Sequence, residues 1–469
     1  MRPVGRLPPF LGEVICALRR VGRPLLVGGC VRDWLMGREP KDYDVEVYNA
    51  PQASVDNALS QFGNVDPVGR SFGVIKFRRD GIDYDISLPR KDQKTGSGHR
   101  GFEVGTDPSL SPSEALARRD FTINSMAADP SSGMLLDPFG GHSDLDRRLL
   151  RHTSEAFAED PLRVLRAFQF AGRFDFRLDS STAAICTSIA GSFAELPVER
   201  VWGEWSKWAA DSIRPSAGLR VLEESGWLKH FPEIASLRGL EQEPEWHPEG
   251  DVFEHTCHCV DALAGFPEWK ALEPDDRRVQ MLAVLAHDLG KAGTTARAEK
   301  HGKLRWISPG HEAAGGPLVE SFMTRIGAPL DFAPRIRPLV ENHHSHHHGP
   351  VPPTATAVRR LARRLAPATL SQWLLLLRAD HLGRPPIVSE ETKERIDAWA
   401  QSARELVLRD SAPKPILLGR HLVSAGMKPG PAFKAILDEA FEAQLDGGFS
   451  DESGARAWLA RKLDTSPAA

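Results

Sequence analysis

Two sets of side chains in this 469-residue chain have the types and spacing for phosphate chemistry at metal ions. The first is acidic. Asp42 and Asp44 flank Tyr43 at the start of a run whose period-two alternation predicts a strand. Alternate strand residues share one face, which places these carboxylates about 7 Å apart along the strand. Hard oxygen ligands at that spacing suit Mg²⁺ and leave room for phosphate and water. Asp85, in the strand-like stretch 82–86, can complete the set. Upstream, the apolar run Leu25-Leu26-Val27 meets Gly28-Gly29 and then a helical pattern containing Arg32. Glycines at a strand-to-helix turn let backbone N–H groups approach a phosphate, whose charge the helix start favours. Either signal alone is common, and a bare Asp-x-Asp is usually a solvated pair. The glycines followed at this distance by the two aspartates reverse that reading.

The second set is imidazole-rich. Most of the 17 histidines fall between His247 and His348. The stretch 281–291 reads as a buried helix that closes on His287-Asp288 and stops at Gly290. Adjacent His and Asp at a helix end can bind one metal ion through nitrogen and oxygen. His255 lies upstream in a helical pattern, and His311, His343-His344 and Asp380 follow downstream. His346 to His348 read as a solvated loop. Cys257 and Cys259 lack the spacing of a zinc knuckle and read as ordinary thiols on a helix.

The elements that must hold these residues follow from composition and pattern. The length suggests roughly three domains. Hydrophobic residues at 41% and charged residues at 26% suit a globular chain and exclude a mainly disordered one. Lys+Arg total 59 and Asp+Glu 63, a net charge of −4. A nucleic-acid partner must therefore be held by a local basic patch. Five cysteines form no visible disulfide framework, so a reducing cytoplasm is expected. No run approaches the ~20 apolar residues of a membrane helix, so no membrane association is expected. The N-terminal stretch reads as a helix of the mature protein, not a signal peptide. About the first 130 residues read as mixed α/β. Asp160 and Pro161 then mark a helix start, and helical patterns continue through 150–230. The acidic, Pro- and Gly-rich stretch 239–252 reads as a boundary, 253–410 as helical, and 411–469 as a helical tail.

The segment GGCVRDWLMGREPKDYDVEV resembles the nucleotidyltransferase head of the polymerase β superfamily, in its class of tRNA CCA-adding enzymes and bacterial poly(A) polymerases. Arg118-Arg119-Asp120-Phe121-Thr122-Ile123-Asn124 and Glu159-Asp160-Pro161-Leu162-Arg163 match further motifs of that class in order, over roughly residues 20 to 230. The resemblance implies that Asp42, Asp44 and Asp85 are catalytic, with Asp42 and Asp44 holding Mg²⁺. It implies that Gly28, Gly29, Arg32, Arg118, Arg119, Asp120 and Asn124 bind the nucleotide's phosphates and ribose. Asp160 and Arg163, three apart and so on one helix face, would select C or A by hydrogen bonds, with Arg166 one turn on.

The order His255, His287-Asp288, Asp380 resembles the HD-domain phosphohydrolases. It implies a divalent ion such as Mg²⁺, Mn²⁺ or Ni²⁺ there, with His311 and His343, or His344 beside it, serving a second metal or a phosphate. The implied fold is a polymerase β-like α/β head (1–140), an all-α neck and body (141–238), an all-α HD domain (239–410) and a helical tail (411–469). The implied function is template-independent addition of C, C and A to tRNA from CTP and ATP. The HD domain would act as a 2′,3′-cyclic phosphodiesterase, 2′-nucleotidase or phosphatase. The alternatives are a poly(A) polymerase, a CC- or A-only enzyme, and an HD nucleotide hydrolase with a degenerate head. Ser71 and Gly73 stand where poly(A) polymerases carry basic residues, which favours the CCA form. Two arginine groups could grip RNA: Arg147, Arg148 and Arg151 with His152, and Arg359, Arg360, Arg363 and Arg364 at helical spacing. The sequence leaves the oligomeric state open.

Overall fold

The computed structural model describes residues 7–63, 74–94, 102–300, 302–386, 389–408, 410 and 413–464. The stretch around Ser71 and Gly73 lies outside them. The chain divides into two compact units, Met1–His230 and Phe231–Ala469. The boundary expected near residue 140 lies inside the first unit, and the one expected at 239 lies close to the break.

The first unit is organised by a six-stranded sheet with β1 (Arg23–Val27), β2 (Asp42–Tyr48), β3 (Val74–Arg79) and β4 (Ile82–Ser87). The order is β3-β4-β2-β1, followed by the two-residue strands Ala127–Ala128 and Leu135–Leu136. β2 alternates as its sequence demands. Tyr43, Val45 and Val47 are buried, while Asp42 is exposed and Asp44 and Glu46 are half-buried. The buried set packs against α1 (Pro9–Leu18) and α2 (Gly29–Leu35) through Leu11, Leu18, Cys30 and Val31. Burying each such aliphatic chain contributes about 1.5–3 kcal/mol before entropy, which holds the register of β2. A one-residue slip would turn the carboxylates into the core.

Beyond the sheet the same unit is helical. The helix Leu162–Phe174 packs its buried Phe168 against Trp205 and Trp208 of the helix Val198–Asp211. Gly172 and Gly218 let the Trp208 ring approach, since a Cβ at either would meet it within 3 Å.

Among its described residues the second unit is largely helical, with one hairpin, Ala296–Lys300 with Lys303–Ile307. The expectation of helix throughout 253–410 is corrected there. Gly302 turns at φ +72°, and the flanking short alternating segments are too brief for helical periodicity to hold them. Around it pack the helices Val252–Gly265, Pro274–Ala286, His311–Ile326, Phe332–Glu341 and Leu370–Leu382. The helices Pro431–Leu445 and Glu452–Asp464 form a small core with Leu422 and Phe449. No helix among the described residues is long and apolar enough to cross a membrane.

Candidate functional site

The head site is assembled by strand register. β1 pairs antiparallel with β2, placing Val27 opposite Asp44, and β2 pairs parallel with β4, placing Asp44 opposite Asp85. Three residues far apart in sequence thus meet on neighbouring strands. They line a cleft of about 250 Å³ with Glu46, Ser87, Arg90, Arg118 and Arg119. Burial, resisted by Arg119 and reinforced by Asp42 and Asp85, pushes the Asp44 carboxyl up to about 6. A crowded group of carboxylates on one face is the donor set that a hard divalent cation relieves. Asp85 accepts from Lys76 at 2.7 Å on the outer strand β3.

Gly28 closes the head site. Its φ of +72° is costly for any side chain, and a Cβ there would meet the Arg119 guanidinium and approach Asp44 Oδ2 at 3.7 Å. The glycine therefore makes room for Arg119, which donates to Glu46 Oε1 at 2.8 Å. Gly29 begins α2. Glu46 is a residue that sequence reasoning missed, although it is the next alternate position after Asp42 and Asp44.

The remaining expected residues form a buried relay from α2 to the Leu162–Phe174 helix. Arg32 donates to Asp33 Oδ1 at 2.7 and 2.9 Å and to Asn124 Oδ1 at 2.6 Å, and its guanidinium lies over the Phe174 ring at 4.7 Å. Asn124 donates to Asp120 Oδ1 at 3.0 Å, and Arg166 donates to Asp120 Oδ2 at 2.7 Å. Burial opposes ionisation of Asp120, but Arg166, Asn124 and the Phe121 N–H outweigh it and hold the carboxyl below the usual range. Both carboxylate oxygens of Asp120 are thus engaged inside the protein. Asp160 does not share a helix face with Arg163. It precedes the helix, accepts from Leu162 N at 3.1 Å and pairs with Arg200 at 2.9 Å. Arg163 donates to the carbonyls of Ala156 and Arg118 at 2.7 Å each. Pro161, fixed in φ, starts the turn and leaves Asp160 in extended backbone. Arg118 lies in the cleft wall and faces Glu159 at 3.7 Å.

The second site is assembled by helix packing. His255 projects from the Val252–Gly265 helix, whose start is capped by the Asp251 carboxylate accepting from Glu254 N. His287-Asp288 follows the end of the Pro274–Ala286 helix. His311 opens the next long helix, His343 follows the end of Phe332–Glu341, and Asp380 lies near the end of Leu370–Leu382. The ligand atoms of His255, Cys259, His287 and Asp380 all lie within 4.8 Å of one another, as do those of His311, His343 and His344. His255 Nε2 is 3.1 Å from Asp380 Oδ1, and His287 Nε2 is 3.2 Å from Asp288 Oδ2. Asp288 Oδ1 is 3.4 Å from His311 Nε2 and 3.8 Å from His343 Nε2, so it stands between the two groups.

Each imidazole is oriented from behind. The Nδ1 atoms of His287, His311 and His343 contact the carbonyls of Val284, Ser308 and Val340 at 2.7, 2.8 and 2.6 Å. Donation there fixes the tautomer and turns a bare Nε2 inward, the arrangement of metal-ligating histidines. His287 Nε2 is buried and has no hydrogen-bond partner, which fits a metal ligand. Burial opposes ionised Asp288 and Asp380, but His287 and Lys291 outweigh it for the former and Arg384 and His255 for the latter. Both carboxyls lie well below their ordinary range and are ready as anionic ligands.

Gly290 lets the two halves touch. A Cβ there would collide with the His311 carbonyl, although its φ is ordinary. Sequence reasoning missed Lys291, Arg384, Glu249 and Cys259. Lys291 and Arg384 sit three and four residues after the aspartates they pair with, at 2.7 Å each, which is helical-neighbour spacing. Glu249, 2.8 Å from His255 Nδ1, left no signal.

Two expectations are corrected. His346 is not solvated: it is buried near Trp373, with Nδ1 at 3.1 Å from the His343 carbonyl. In the Arg359–Arg364 stripe, Arg360 and Arg363 are exposed and pair with Asp446 and Glu442, and Arg359 bonds the Leu445 carbonyl. Cys259 is no ordinary thiol, since it joins the His255 cluster. The Arg147–His152 group is also tied down locally, Arg148 to Asp175 at 3.1 Å and Arg151 to Asp144 at 3.1 Å.

Residues 25–151 match the poly A polymerase head domain family. The multifunctional CCA protein of Xanthomonas campestris pv. campestris (strain B100) is 37% identical over 368 residues, covering 76% of this chain and 85% of that protein. The one from Alkalilimnicola ehrlichii is 39% identical over 370 residues, covering 76% and 84%. Among solved structures, the Bacillus stearothermophilus CCA-adding enzyme in complex with CTP superposes with a TM-score of 0.67 at 22% identity, over 98% of this chain and 99% of that one. The Thermotoga maritima CCA-adding enzyme complexed with tRNA gives 0.59 at 19%, over 98% and 99%. The structural likeness is one of fold: a polymerase β-like head with a mixed sheet, followed by a largely helical body. At 37–39% identity over about three quarters of its length, the chain belongs to the multifunctional CCA protein family.

Proposed function

We propose that the chain adds C, C and A to the 3′ end of tRNA from CTP and ATP, and that its second unit hydrolyses phosphate esters. The observation that carries the first activity is the Asp44–Asp85 register pair with Asp42 beside it, facing Arg118 and Arg119 across one cleft. Asp42 and Asp44 hold Mg²⁺, with Asp85 as the third carboxylate. Bound Mg²⁺ supplies a lowered pKa for the attacking 3′-hydroxyl and charge balance for the leaving pyrophosphate. Arg118 and Arg119 bring positive charge to the triphosphate. Arg163 and Asp160, flanking the start of the Leu162–Phe174 helix, read the base by exchanging their present partners, the Ala156 and Arg118 carbonyls and Arg200, for it. The Arg32–Asn124–Asp120–Arg166 relay holds that helix against α2, so the base reader and the phosphate site keep a fixed separation. Solved relatives bound to CTP, ATP and tRNA support the reading.

The test is nucleotide addition to tRNA lacking CCA, CA or A, each triphosphate supplied alone. CTP incorporation followed by one AMP is expected. Incorporation of ATP alone, in long runs, overturns the reading in favour of a poly(A) polymerase.

In the second unit, His255, His287, Asp288 and Asp380 hold a divalent ion, and His311 and His343 bind a second ion or the substrate phosphate. A metal bound there supplies an activated water for attack on phosphorus. The buried, unpartnered His287 Nε2 supports this reading. A pocket lined by Gln242, Trp246, Lys291, Trp306 and His344 opens beside these residues and offers cations and flat apolar surface to a nucleotide. Hydrolysis of 2′,3′-cyclic or 2′-phosphates with Mg²⁺, Mn²⁺ or Ni²⁺ is expected, and its absence with all of them overturns the assignment.

A further inference from the structure

The thiol of Cys259 stands where a ligand belongs. Cys259 lies four residues after His255 on the Val252–Gly265 helix, so the two share a face. Its Sγ is 3.4 Å from His255 Nε2. In a tetrahedral site with metal–nitrogen and metal–sulfur bonds of about 2.0–2.1 and 2.3 Å, the two ligand atoms are about 3.6 Å apart. His255 Nε2 also approaches Asp380 Oδ1 at 3.1 Å, and all three atoms cluster with His287 Nε2, which is buried and unpartnered. The sulfur cannot easily swing away on the far side, because a Cβ at Gly383 would already collide with it. The residues beside it differ. His258 is exposed, and Cys257 is buried without joining the cluster. A cysteine that served only as core filler would be met by apolar atoms. This one clusters with the imidazoles of His255 and His287 and the carboxylate of Asp380.

We propose that Cys259 is a protein ligand of the metal held by His255, His287 and Asp380, giving the second unit a thiolate-bearing centre that prefers Zn²⁺-class ions over Mg²⁺. Thiolate selects borderline-soft metals, whereas a site of carboxylate and water suits Mg²⁺. On binding, the thiol gives its proton to solvent. The head, with its carboxylates, keeps the Mg²⁺ preference, so one chain holds two centres of different metal taste. The proposal rests on the reading of the second unit as a metal centre.

The test uses the full-length chain, stripped of metal and titrated with Co²⁺, whose bond to thiolate gives an intense near-ultraviolet charge-transfer absorption. The wild type is expected to show that band, Cys257→Ser to keep it, and Cys259→Ser to lose it while still binding Co²⁺. If Cys259→Ser does not fold by circular dichroism, a chain keeping Cys259 as its sole cysteine decides, and the band must persist in it. A wild type that binds Co²⁺ in a His287-dependent way without the band overturns the thiolate and leaves the metal centre standing. Co²⁺ binding that is unchanged by His287→Ala overturns both.

Discussion

The two sites solve one problem, converging several ligands on a cation, with different backbones. In the head, neighbouring strands deliver carboxylates in register, and the side chains stand at a partly open cleft. In the second unit, four helices deliver imidazoles and a fifth delivers Asp380, and His255, His287, Asp288, His311, His343 and Asp380 are all buried. The strand site is therefore built from local alternation plus one register. The helix site needs all five helices docked before the full ligand set converges. Burial, reinforced by the neighbouring carboxylates, raises Asp44, whereas the second site matches each carboxylate with a cation and lowers Asp288 and Asp380. A carboxylate cluster waits for its metal as the counter-charge. The histidine site is largely neutralised in advance.

The largest effects should separate the two sites completely. Asp42→Ala should cut nucleotide addition by well over the about 100-fold that loss of an outer-shell partner alone can cause, and leave phosphate-ester hydrolysis intact. His287→Ala should do the reverse. Parallel steady-state assays check both, and loss of both activities in either variant would erase the comparison.

The glycines come next. Gly28→Ala should destabilise the head by about 1–3 kcal/mol through its positive φ and the collision with Arg119. Gly290→Ala should cost a similar amount through overpacking against the His311 carbonyl. Urea unfolding of each variant measures this. Metal binding at the second site should weaken in Gly290→Ala and not in Gly28→Ala.

Asp44→Asn should abolish addition and yet stabilise the metal-free fold. The folded protein binds the Asp44 proton more tightly than the unfolded chain does, because its pKa is raised from 3.8 to about 6. Stability from this group is thus full at low pH and lost as pH rises through that window. Asparagine, neutral throughout, should gain about 1–2 kcal/mol near pH 7 and nothing near pH 4. Thermal melts at the two pH values in chelator check the sign.

The smallest effect belongs to the tail. Arg360 and Glu442 are about half exposed, so Glu442→Ala should cost under about 1 kcal/mol and respond to salt. A larger loss would mean that the tail helix supports the second site.

Much of this was legible before any coordinates. The β2 alternation exposed Asp42 and Asp44 on a strand, and His287-Asp288 before Gly290 marked a helix end. Less legible were residues whose role depends on a partner far along the chain. Glu46 pairs with Arg119, Asp120 is spent on Arg166, and Arg360 meets the tail. The hairpin at Ala296–Ile307 was hidden because two five-residue strands carry too little periodicity to outweigh helical surroundings.

The sequence by itself determined the chemistry available: which residues can ligate, which strand faces bury, where helices must start and stop. Those are local consequences of side-chain type, alternation and backbone restriction. The tertiary structure decided which of these groups meet. Register set Asp85 beside Asp44, and helix docking set Asp380 beside the His255–Cys259 pair. The same docking closed the Arg360 and Arg363 pairs with Glu442. Contact between groups dozens to hundreds of residues apart depends on how buried surfaces fit, and no local pattern encodes that fit.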